Sequence, residues 1–149
     1  MKGVMTMNYD DKQLLGDIYQ LAETGIEATR TVLPKVEDAA LKEELEEQYN
    51  DYSQAKAKSE QGLIDAGAFP KGNSPVQKAV MWGSIQMKTL SETSSEHIAE
   101  IMINGTTMGI VDLTKDISEC SNASDSTKKF AQRFIHAEQR HIDNLKAFL

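Results

Sequence analysis

The chain has 149 residues, 40 % hydrophobic and 26 % charged, with a formal net charge of −7. This is the composition of a globular domain long enough to bury a sizeable core, and a single domain is expected. The acidic balance speaks against a nucleic-acid partner and against an anionic membrane surface. One cysteine, Cys120, cannot close an intrachain disulfide, which fits a reducing compartment. No apolar run reaches the length of a signal peptide's core, or the roughly 18 residues of a membrane span. The nearest stretch, Ile98 to Val111, is interrupted by Glu100, Asn104 and Gly105. A cytoplasmic location, with no membrane and no nucleic acid, is the expectation.

Three prolines, 6 % aromatics and abundant Ala, Leu, Glu, Lys and Gln predict an all-α fold. A first helix is expected over about 10–33, capped by Asp10 or Asp11 and closed by Pro34. Its apolar face runs through Leu14, Leu15, Ile18, Ala22, Gly25, Ile26, Thr29 and Val32, with Glu23 and Glu27 turned away. This helix offers no inward carboxylate. A second helix over about 37–66 buries Leu41, Leu45, Tyr49, Tyr52, Leu63 and Ala66. Lys56 lies near its seam, either snorkelling along its stem or neutralising a buried acid. The run from Gly67 to Pro75 breaks the chain.

Ser74 and Pro75 form a good helix start, predicting a shorter helix over about 75–91 with Met81, Trp82 and Met87 as core filler. Thr93-Ser-Ser-Glu96 reads as a capping box that opens another main helix over about 94–119. That helix is apolar over a wide arc, including Ile98, Ile101, Met102, Ile103, Met108, Ile110, Val111 and Leu113. Such a helix is covered on more than one side, by the shorter helix or by a second subunit, so a homo-oligomer is expected. Gly105 and Gly109 would permit a close helix approach, and Asp112 and Asp116 sit at a solvated margin. The last helix, about 125–149, carries Phe130, Phe134, Ala137, His141, Leu145 and Phe148 on one stripe, with Glu138 inside it.

The internal restart at residues 93–96 decides the expected topology. One helix over 75–119 would run roughly 65 Å and overhang its neighbours. A short crossover helix instead lets the second and third main helices run parallel, the order of ferritin-like four-helix bundles. A five-helix bundle without a crossover is the alternative.

The chemistry concentrates in Glu138-Gln-Arg-His141. A carboxylate and an imidazole three apart on an inward stripe match the Glu-x-x-His half-site of di-iron and di-manganese bundles. As metal ligands, Glu138 and His141 would suit iron, manganese or zinc. As buried groups without a metal, Glu138 would be held by Lys56, Tyr49 or Tyr52. A complete dinuclear site takes about four carboxylates and two histidines, and the other helices supply no matching set. No cofactor is expected beyond that possible iron or manganese. Cys120, near a helix C-terminus, is not placed to be a reactive thiolate, and no other catalytic motif is present.

With these elements in place, the chain resembles a group of small ferritin-like proteins of unassigned function, common in clostridia and related Firmicutes. The resemblance covers most of the length. It rests on Leu33-Pro34-Lys35-Val36, on the segment from His97 to Lys115, and on Glu138-Gln-Arg-His-Ile-Asp-Asn-Leu-Lys146. It implies the ferritin-like bundle and no activity. Where metal-binding relatives place a glutamate in the third main helix, this chain has Gly105-Thr106-Thr107. The expectation is therefore a non-catalytic, self-associating bundle whose metal site at Glu138 and His141 is degenerate. The alternative is an iron or manganese protein with oxidase or storage activity.

Overall fold

The computed structural model describes residues 8–71 and 93–149, which form four α-helices and no strand. They are α1 (Tyr9–Val32), α2 (Ala39–Asp65), α3 (Ser95–Glu119) and α4 (Asp125–Leu145). Short 3-10 turns follow α1 at Leu33–Lys35 and α4 at Lys146–Phe148. The chain thus leaves α-helical geometry at Leu145, short of the expected residue 149. The crossover helix expected over about 75–91 lies outside the described residues.

Each helix start is sealed by a side chain. Asn8 caps α1 in a reciprocal box with Asp11, two or three residues before the expected Asp10 or Asp11 cap. Asp38 caps α2, and Ser124 caps α4. Ser94 caps α3 by accepting from the His97 amide. The hydroxyl of Ser94, rather than a Thr93–Glu96 box, therefore caps the start of α3. Each such cap is worth about 1 kcal/mol.

α1 and α2 pack as one antiparallel hairpin, α3 and α4 as another, and packing within each hairpin is more extensive than between them. The relative direction of the hairpins follows from contacts at both ends. At one end, Asp11 of α1 accepts from the Ser124 amide at 2.7 Å, and Asn8 donates to the Asn122 carbonyl at 2.7 Å. α1 and α4 therefore start together. At the other end, Val32, Leu41, Leu45, Ile98, Met102 and Leu145 share one core cluster. The starts of α2 and α3 thus meet there, and these two helices run parallel. The end of α2 lies at the opposite pole, where a Cβ on Gly62 would contact Leu15 near the start of α1.

A second cluster fills that opposite half: Leu14, Ile18, Ala22, Tyr52, Leu113, Ala131 and Phe134, among others. Leu14, Leu41, Leu45, Leu113 and Leu145 are wholly excluded from solvent, each worth about 1.5–3 kcal/mol of burial. Between the two clusters the stripes turn polar. Thr29 on α1, Gln48 on α2, Thr106 on α3, and Glu138 and His141 on α4 are all buried. Apolar packing thus brackets a polar layer at mid-bundle.

Outward, α3 keeps Met108 and Val111 exposed, with Ile103 and Ile110 half-buried. Among the described residues, Gly105 and Gly109 do not mark a tight helix crossing. A Cβ at Gly105 would meet nothing within 4 Å, and one at Gly109 would make ordinary contacts at 3.7 and 3.9 Å. Lys56 is not a partner of Glu138: its Nζ lies 3.8 Å from Glu23 Oε2 and 5.6 Å from the Tyr19 ring centre. No described helix is long and apolar enough to cross a membrane.

Candidate functional site

Glu138 and His141 both face the bundle interior, at 5 % and 3 % exposure. Their three-residue spacing on α4 puts them on adjacent turns of one face. α2 supplies their partners. Tyr52 donates its hydroxyl to Glu138 Oε2 at 2.9 Å, and its ring lies 6.2 Å from that of Phe134 in a tilted pair. The ring also fits against α1 because residue 25 is glycine: a Cβ there would fall 2.5 Å from Tyr52 Cε2.

His141 sits between two carboxylates. Its Nδ1 is 2.9 Å from Glu44 Oε2, and its Nε2 is 2.7 Å from Asp51 Oδ2. Asn144, one turn on, donates to the other oxygen of Glu44 at 2.7 Å. With an acceptor at each ring nitrogen, the arrangement suits the imidazolium, which donates from both. Burial alone would push the His141 pKa down, but the hydrogen bonds it makes to Glu44 and Asp51 outweigh that and raise it. For Glu138 burial dominates. It pushes the carboxyl up to about 7, against the Tyr52 hydrogen bond and the His141 charge, with Asp51 adding to the rise. Burial, then the charge of Glu138, likewise raises Tyr52 well above its ordinary range.

Glu44 and Asp51 are the residues that stripe-by-stripe reading of the sequence misses. Their signal is the seven-residue interval on α2, which repeats one angular position every two turns. That position flanks the apolar stripe on the side facing α4. Gln48, between them, is wholly buried, and neither its Oε1 nor its Nε2 has a hydrogen-bond partner among the described residues.

These groups do not converge as metal ligands would. The two nitrogens of His141 point to different carboxylates, and Glu138 is turned to a phenol. Among the described residues no three His, Cys, Asp or Glu side chains are disposed to hold one ion. Three carboxylates and one histidine, each already engaged, do not fit a dinuclear iron or manganese group.

No protein-family model and no curated protein sequence matches the chain. Its fold is similar to the crystal structure of a DUF305 fragment from Deinococcus radiodurans. The TM-score is 0.74 at 13 % identity, over 96 % of this chain and 97 % of that one. At that identity the likeness concerns the fold alone. The class defined here is an all-α four-helix bundle with a buried polar layer.

Proposed function

We propose that this protein is a ferritin-like bundle of the non-catalytic kind, acting in the cytoplasm as a structural or interaction protein. In this reading a hydrogen-bonded charge network occupies the place of a metal centre. The parallel run of α2 and α3 supports the ferritin-like order, and the inward Glu138 and His141 support descent from a metal-binding arrangement. The observation that carries the reading is the clasping of His141 by Glu44 and Asp51 on opposite ring nitrogens. A ligating histidine gives one nitrogen to the metal and the other to an outer partner. Here both nitrogens hold α4 to α2.

The test is metal analysis of protein purified without chelators, then titration with iron(II) and manganese(II), on wild type and His141→Ala. The expected result is no stoichiometric metal in either. Stoichiometric iron or manganese in wild type, lost in the variant, would establish the competing metal-protein reading, with oxidase or storage activity.

The apolar outer face of α3 belongs to the same proposal, as the surface through which copies of the chain associate. Exposed Met108 and Val111, flanked by Ile103 and Ile110, support it. Sedimentation at micromolar concentration is expected to show an oligomer that Met108→Lys disperses. A wild-type monomer would remove this part of the proposal.

A further inference from the structure

The outer face of α3 carries charges that its own bundle does not use. Glu100, Asn104, Thr107, Met108, Val111 and Lys115 are all exposed. At about 100° per residue, Glu100, Asn104, Val111 and Lys115 fall within roughly 60° of one another. That stripe lies opposite the buried Met102, Thr106 and Leu113. Glu100 and Lys115 stand at its two ends, and neither makes an ion pair or a side-chain hydrogen bond among the described residues. Between them the surface is less polar than its residue types suggest. The Thr107 hydroxyl donates to the Ile103 carbonyl of its own helix at 2.7 Å, so its proton is already engaged. Met108 and Val111 beside it are 62 % and 47 % exposed.

The pattern is self-complementary. Glu100 and Lys115 are equally far along the chain from the midpoint between Thr107 and Met108, and so are Asn104 and Val111. A two-fold axis through that midpoint lays a second α3 antiparallel on the first. Glu100 then meets Lys115 of the second copy at each end, with Thr107, Met108 and Val111 in contact between the two charge pairs. Other alignments lose this match. A parallel pair sets Glu100 on Glu100 and Lys115 on Lys115. Sliding the antiparallel pair by one turn sets Glu100 against Glu119 in one direction and against Val111 in the other. These juxtapositions bring like charges together or cover a carboxylate without a partner.

We infer that α3 is the two-fold seam of a homodimer in which the helices run antiparallel and Glu100 of each copy pairs with Lys115 of the other. This rests on the proposal that copies associate through α3, and adds to it their number, orientation and register. From Glu100 to Lys115 the seam runs roughly 22 Å. A single helix pair of that length covers less than a standard interface, so a dimer dissociating in the micromolar range is expected. The two exposed ion pairs decide orientation more than affinity.

The test is sedimentation equilibrium of the full-length chain at low salt, where exposed charges act most strongly, with circular dichroism to show that every variant keeps its helices. Wild type is expected to be a dimer. Glu100→Lys and Lys115→Glu each set like charges face to face at both ends, and each should raise the dissociation constant about tenfold. Combining the two exchanges the signs, so the constant should return to the wild-type value. An equimolar mixture of the two single variants should form a mixed dimer, in which every facing pair is again opposite. A wild-type monomer would remove association through α3 altogether. A wild-type dimer that the single variants leave unchanged, that the double variant does not restore, or that proves to be a larger assembly would overturn the antiparallel register while leaving association in place.

Discussion

Replacing His141 with leucine is expected to cost about 3–5 kcal/mol of stability, the usual range for breaking a buried charge network. The volume is roughly kept, so the loss reports chemistry and not a cavity. Glu44, 7 % exposed in the native chain, would keep only Asn144 as a partner, and Asp51 would lose its contact to α4. Denaturant unfolding measures the loss, and its pH dependence tests the cause. The His141 pKa is raised by its two carboxylates, so its contribution is complete below the ordinary imidazole value and disappears as pH rises through the folded one. The deficit of the leucine variant should therefore be largest in mildly acidic buffer and shrink in alkaline buffer. Glu44→Leu combined with His141→Leu should recover much of the loss, because an apolar pair in place of a buried ionic one is often neutral or better. A deficit that stays constant with pH would mean that His141 acts as a neutral packing residue.

The elements are legible in the sequence because each helix carries its own apolar stripe and its own polar stop. The parallel course of α2 and α3 follows from the restart near residue 94, since a helix spanning residues 75–119 would have nothing to pack against along much of its length. The inward positions of Glu138 and His141 also follow from local periodicity. Their partners do not. Glu44 and Asp51 lie beside the α2 stripe, and only the angle at which α4 meets α2 turns them from margin into interior. Exposure at the edge of a stripe is a property of the neighbouring helix, which no single helical wheel contains. Gly105 shows the converse. Small residues four apart suggest a close approach, yet the backbone that comes close is at Gly25, where a large ring on α2 needs the room.

Gly25→Ala is accordingly the second large effect, and its direction opposes intrinsic propensity. Within an exposed helix this change stabilises by about 0.5–1 kcal/mol. Here the added methyl would sit 2.5 Å from Tyr52 Cε2 and 2.6 Å from Cδ2 and Cζ, so the ring must move. It cannot move freely, because its hydroxyl is held by Glu138 at 2.9 Å and its face by Phe134. Overpacking costs about 1–3 kcal/mol, and leaving a buried carboxyl without its donor costs about 1–3 more. A net loss of about 2–4 kcal/mol is expected after the propensity gain. That corresponds to a fall in Tm of about 4–16 °C for a chain of this size. Gly105→Ala is the control: nothing lies within 4 Å of its Cβ position, so it should be neutral or mildly stabilising. Trimming the ring with Tyr52→Leu in the Gly25→Ala background should relieve the clash but not restore the hydrogen bond, leaving the double variant less impaired than the sum of the two. Wild-type stability in Gly25→Ala alone would mean that Tyr52 does not pack against α1, and the geometry holding Glu138 would fall with it.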